Sequence, residues 1–160
     1  VSASITITRL VTTQVVTKVA DTNDGVCDSD CSLREAIATA VPGQQVSFDP
    51  SVFTAPRIIF LGSQLLVDKN LAIVGPGAHR LTVSGGNSSR VFRLTGARIT
   101  LSGLRIADGA GIDVGCVSAQ GGNLVLHRVE ISNCRGVGSG GLYQSPGGTL
   151  LFSESSISDS

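Results

Sequence analysis

Arg98-Ile-Thr-Leu-Ser-Gly-Leu-Arg-Ile-Ala-Asp108 and Asn123-Leu-Val-Leu-His-Arg-Val-Glu-Ile-Ser-Asn133 are one motif written twice, 25 residues apart. A further copy starts at Thr149 and a looser one at Asn70, so successive starts lie 28, 25 and 26 residues apart. One residue into each copy the column reads Leu71, Ile99, Leu124, Leu150. Three residues in, it reads Ile73, Leu101, Leu126, Phe152. Eight residues in stand Ile106, Ile131 and Ile157. In the first copy the inserted turn Gly75-Pro76-Gly77-Ala78-His79 shifts the equivalent to Val83. Ten residues in, Asp108, Asn133 and Asp159 mark a polar turn. Gly96-Ala97, Gly121-Gly122 and Gly147-Gly148 precede the last three copies. Counting back seven residues from each start aligns Val91, Cys116 and Leu142.

Each unit is therefore about three short strands joined by glycine and Asx turns. Such a unit cannot bury its own apolar face, but it can when stacked on a neighbour. A period near 25 fits a β-solenoid coil or a leucine-rich repeat, and the latter needs a helix or an Asn/Cys signature that is absent here. The expected fold is all-β: a parallel β-helix of five or six coils, aliphatic residues stacked inside and small polar residues outside.

Upstream, Gln45–Phe48, Arg57–Phe60, Leu65–Val67 and Leu71–Val74 read as further strands, with Asp49-Pro50 as a turn. Ile5 and Ile7 alternate with Thr6 and Thr8, the period of a half-buried strand, and Val11 to Val19 reads as a second one. The single helix is expected over 32–40. Ser32 and Glu35 form an S-x-x-E capping box, Leu33, Ala36, Ile37 and Ala40 share a face, and Pro42-Gly43 ends the segment. Solenoids need closed ends, and this helix is placed to cover the first coil. The chain thus divides into residues 1–44 (strands, acidic loop and capping helix) and coils over 45–160, in one structural domain.

Lys+Arg and Asp+Glu both number 12, and charged residues make up only 15% of the chain. No basic excess points to nucleic acid, and low, balanced charge offers little resistance to self-association. No apolar run is long enough for a membrane span.

Asp24-Gly25-Val26-Cys27-Asp28-Ser29-Asp30 followed by Cys31-Ser-Leu-Arg-Glu-Ala-Ile37 resembles the CSLREA region of bacterial secreted and surface proteins, the match covering about residues 19–40. The later Gly-Gly repeats resemble, more loosely, those of polymorphic outer-membrane proteins. The resemblance implies a right-handed parallel β-helix and an extracellular or cell-surface location. It implies no single activity.

Several residue groups are candidates for chemistry. Asp21, Asn23, Asp24, Asp28 and Asp30 put five oxygen side chains within ten residues. They read either as ligands for a hard cation such as calcium or as Asx turns with a helix N-terminal charge effect, and the spacing is not that of an EF-hand. Cys27 and Cys31 read as a small structural disulfide stapling this loop to the helix, or as a redox or metal pair. Cys116 and Cys134 read as a second disulfide within about one coil, or as two packed thiols. Arg34 is expected to pair with a carboxylate or to cap loop carbonyls. A carbohydrate-active enzyme would need paired carboxylates in a groove. Asp108 and Asp159 share a turn column two coils apart, about 10 Å at one strand spacing per coil, with Asn133 between them; a polar ladder is the simpler reading. Tyr143 is the only tyrosine.

The expected function is a non-enzymatic extracellular structural or adhesive solenoid, the alternatives being a polysaccharide lyase or hydrolase and a binding module of a longer surface protein. Past Ile157 no cap follows. Leu150, Phe152 and Ile157 at one end, and Ile5 and Ile7 at the other, are the expected assembly residues. The expected partners are copies of the chain stacked end to end, or further coils of the same native chain. A surface polysaccharide is a third candidate.

Overall fold

The computed structural model describes residues 2–5 and 12–158. Its elements, in chain order, are strand β1 (Thr13–Val16), helix α1 (Leu33–Thr39), β2 (Gln44–Phe48), β3 (Arg57–Phe60), β4 (Leu65–Val67), β5 (Leu71–Val74), β6 (Leu81–Ser84), β7 (Phe92–Thr95), β8 (Arg98–Ala107), β9 (Val117–Gln120), β10 (Asn123–Ser132), β11 (Leu142–Gln144), β12 (Thr149–Ser153) and β13 (Ser156–Ser158). Every pairing is parallel, and strands adjacent in space belong to successive coils. The result is a β-solenoid of about five turns with three columns of strands. One column is β1-β2-β5-β8-β10-β12. The second stacks β3 and β6 on the later halves of β8 and β10, ending in β13. The third is β4-β7-β9-β11.

The register reproduces the repeat columns. Leu71 lies beside Ile99, Ile99 beside Leu124, and Leu124 beside Leu150. Ile73, Leu101, Leu126 and Phe152 form the next inward row, and Ile59, Val83, Ile106, Ile131 and Ile157 the row of the second column. The middle members are fully buried, and one core cluster runs from Val16 to Cys134. Burying each Leu or Ile in such a row stabilises the coil by about 1.5–3 kcal/mol relative to exposure.

One column needs correction. Leu142 pairs with Val117, and Val117 with Phe92, so Leu142 is not the equivalent of Val91 and Cys116. The extra residue of the last unit lies in the Pro146-Gly147-Gly148 turn, and counting backwards from Thr149 carried it into the strand. β8 and β10 also differ from the expected short pieces. Each runs 10 residues through a corner, at Gly103 and Arg128, where φ is +62° and +53°. Glu154 occupies the same corner one coil on, with φ +48°. Gly103 is demanded there twice over, since an added Cβ would lie 2.7 Å from the Gly75 carbonyl oxygen.

At the amino end, the strand is β1, four residues within the Val11–Val19 stretch. Ile5 is exposed and outside any strand, and Ile7 lies outside the described residues, as does Asp159. The stretch Thr13-Gln14-Val15-Val16 has what Ile5 lacks: a β2 edge to pair with, and a buried position for Val16 opposite Phe48.

Candidate functional site

The two ends of the solenoid are built differently, and the difference begins at Ser32. The Ser32 hydroxyl accepts the Glu35 N–H at 3.1 Å, and Glu35 Oε2 accepts the Ser32 N–H at 2.7 Å, completing the capping box. Glu35 is fully buried, and its other oxygen accepts the Asp24 N–H at 3.0 Å and the Thr22 hydroxyl at 3.3 Å. Lys18 Nζ stands 3.7 Å from Oε2. Burial pushes this carboxyl up, but the Ser32 and Asp24 N–H groups, the Ser32 hydroxyl and Lys18 outweigh it and hold its pKa below the ordinary value. The helix cap is thereby also the knot that gathers the acidic loop. At the other end of α1, Lys69 Nζ donates to the carbonyls of Ile37, Ala38 and Ala40. No local pattern announces Lys69, because its partners lie about thirty residues upstream.

The acidic loop is occupied by its own chain. Asp21 receives Arg34 through both oxygens, at 2.9 and 2.8 Å, and also the Gly62 N–H. Arg34 donates as well to the carbonyls of Ser63 and Gln64, so both of its expected roles are filled at once. Asp24 and Asp28 close Asx turns on the N–H groups of Val26 and Asp30, and Asp30 pairs with Lys18 at 3.1 Å. Asn23 is exposed. These oxygens thus serve separate turns and tethers. Among the described residues, no group of three or more His, Cys, Asp or Glu side chains is gathered as a cation would need.

Cys27 is bonded to Cys31, and Cys116 to Cys134. The first bridge ties the loop to the residue before the N-cap. The second joins the stacked glycine-rich segments 109–116 and 134–141, which also bridge at Ala110–Arg135 and Val114–Ser139. Gly109 leaves room for it: an added Cβ would lie 2.6 Å from Cys116 Sγ.

Of the two turn carboxylates that share a column, Asp108 is described, and it is engaged in the polar ladder. Asp108 accepts the Ser84 hydroxyl at 3.0 Å and the Asn133 amide at 3.2 Å, and Arg105 donates to the Ser132 hydroxyl.

At the other end, the rows that are buried in every middle coil come to the surface. Leu150 is 42% exposed, Phe152 41% and Ile157 44%, whereas Leu124, Leu126 and Ile131 in the preceding coil are at most 2% exposed. In the third column the inward row Val67, Leu94, Ala119 ends in Gln144, whose buried Oε1 has no hydrogen-bond partner among the described residues. Fold and ends together define a disulfide-bonded parallel β-solenoid, closed by a helix at its first coil and open over its last described one.

Comparison with protein-family models, with curated proteins and with solved structures gives no match. Among the described residues no helix is long and apolar enough to cross a membrane.

Proposed function

We propose that this chain is a non-enzymatic, extracellular or cell-surface structural solenoid whose last described coil receives a parallel coil from a second copy. The observation that carries the reading is the exposed apolar row Leu150, Phe152 and Ile157. It continues a core in register and lies largely on β12, which among the described residues is the last strand of its column, the kind of edge that recruits strands. The unsatisfied Gln144 oxygen adds an acceptor for a donor that covers this end. The occupant is argued from the sheet itself. β1 and β12 are the two edges of one continuous column of parallel strands. A copy translated along the solenoid axis therefore sets its β1 beside β12 in the same direction. Such a contact uses two different patches and propagates as a filament. Zero net charge opposes this little. Two disulfides suit an oxidising compartment, and the resemblance of residues 19–40 to the CSLREA region points the same way.

Continuing the register, Val15 of one copy lies in the row of Ser47, Val74, Ser102, His127 and Ser153. The double variant Val15→Cys, Ser153→Cys, treated with a short thiol cross-linker, is expected to give a ladder of covalent multimers. Each single variant is expected to give none. Absence of a ladder from the double variant, at concentrations where it stays folded, refutes the head-to-tail contact.

A further inference from the structure

A lateral cleft of about 460 Å³ opens on the third column, between the outer face of its sheet and the stacked loops that carry Asp113 and Gly138. Its floor is one register row: Arg93 on β7, Ser118 on β9 and Tyr143 on β11. Ser118 is small and buried, so a gap lies between two long side chains on strands two spacings apart, about 10 Å at the usual strand separation. Arg93 is exposed, and its guanidinium makes no hydrogen bond or ion pair with any described residue. Tyr143, the only tyrosine in the chain, is 43% exposed against the same gap.

The wall is rigid where it needs to be. Arg90 is fixed by donating to the Val114 carbonyl at 3.0 Å and to Gln64 Oε1 at 3.2 Å. The main chain of Asp113 is held by the N–H groups of Gly138 and Ser139, both at 2.9 Å from its carbonyl. The Asp113 carboxylate forms no ion pair with either arginine. One cleft therefore presents opposite charges that do not neutralise each other, a hydroxyl floor and an aromatic face.

We infer that this cleft is a binding site for an acidic saccharide, a uronate-type sugar whose carboxylate lies on the Arg93 guanidinium. The guanidinium matches a carboxylate in planar, bidentate fashion. Asp113 and Ser118 take sugar hydroxyls, and the ring lies against Tyr143, which offers an apolar face and a polar tip. Asp113 lowers the net charge of the cleft to that of a monoanion site and disfavours a phosphate dianion by like-charge repulsion. The volume lies within the usual range of small-molecule sites, about 300–1,000 Å³. The cleft faces the side of the solenoid, and its Arg93 and Ser118 stand on strands inside the stack, so Arg93→Gln tests it without touching the end residues.

Tyr143 makes the test direct, because with no tryptophan in the chain its emission is the protein's main fluorescence. Titration with oligogalacturonate is expected to change that emission saturably, while a neutral oligosaccharide of equal length and inorganic phosphate do not. Arg93→Gln is expected to weaken the effect at least tenfold with an unchanged melting temperature. Asp113→Asn keeps one acceptor oxygen and removes the negative charge, so it is expected to change the affinity much less than Arg93→Gln. No response to oligogalacturonate, an equal response to the neutral oligosaccharide or to phosphate, or full retention in Arg93→Gln each overturns the assignment.

Discussion

Glu35→Ala destabilises the amino-terminal end by about 3 kcal/mol, several times a typical surface substitution. The figure follows from what the carboxylate holds. Its loss strands the buried N–H of Ser32, which costs about 1–3 kcal/mol when unsatisfied, frees the N–H of the exposed Asp24 and removes half of the capping box. Ser32→Ala leaves the carboxylate in place and costs about 1 kcal/mol. Urea denaturation read by circular dichroism ranks the two. Equal effects mean that Glu35 does nothing beyond capping. The acid dependence has a definite sign. Because the folded pKa lies below the ordinary 4.5, the contribution is fully present above that value and is lost as pH falls through the folded pKa. Glu35→Gln is expected to flatten this acid limb while keeping the side-chain shape.

Leu126→Ala costs about 3–4 kcal/mol. Leu126 is fully buried between Leu101 below and Phe152 above, and a leucine-to-alanine change in a closed core loses transfer free energy and leaves a cavity, about 2–5 kcal/mol in all. In a solenoid each coil is stabilised by its neighbours, so damage in the fourth coil also loosens the fifth. Phe152→Ala, one coil on in the same row, is expected to cost only about 1 kcal/mol in dilute solution, because its ring is already partly in water. Chemical denaturation of both variants at low protein concentration checks the contrast. Equal losses mean that the last coil is as well packed as the one before it.

The coils were legible because a parallel solenoid writes its register into the chain. Residues that stack recur at the repeat spacing, so Ile99, Leu124 and Leu150 fall in one column both in the sequence and in space. The capping box was legible because it is local, three residues from end to end. What escaped is held together across distance. Lys69 reaches the end of α1, Asp21 the Gly62 N–H and Arg90 the Gln64 amide from 26 to 41 residues away, and no periodicity marks such pairs. The Leu142 misalignment has a different cause. An insertion inside a glycine turn leaves hydrophobic spacing intact on either side, and only the hydrogen-bonded partner Val117 reveals where the extra residue sits. The cleft at Arg93 and Tyr143 escaped because its residues come from three successive coils and two loops, and only stacking makes them neighbours.

Sedimentation velocity over a rising concentration series, with Phe152→Asp alongside, tests the open-end reading most directly. The expected result is a mass that grows with concentration for the native chain and stays monomeric for Phe152→Asp. A native chain that stays monomeric throughout, with the amides of residues 149–158 strongly protected from exchange, contradicts it.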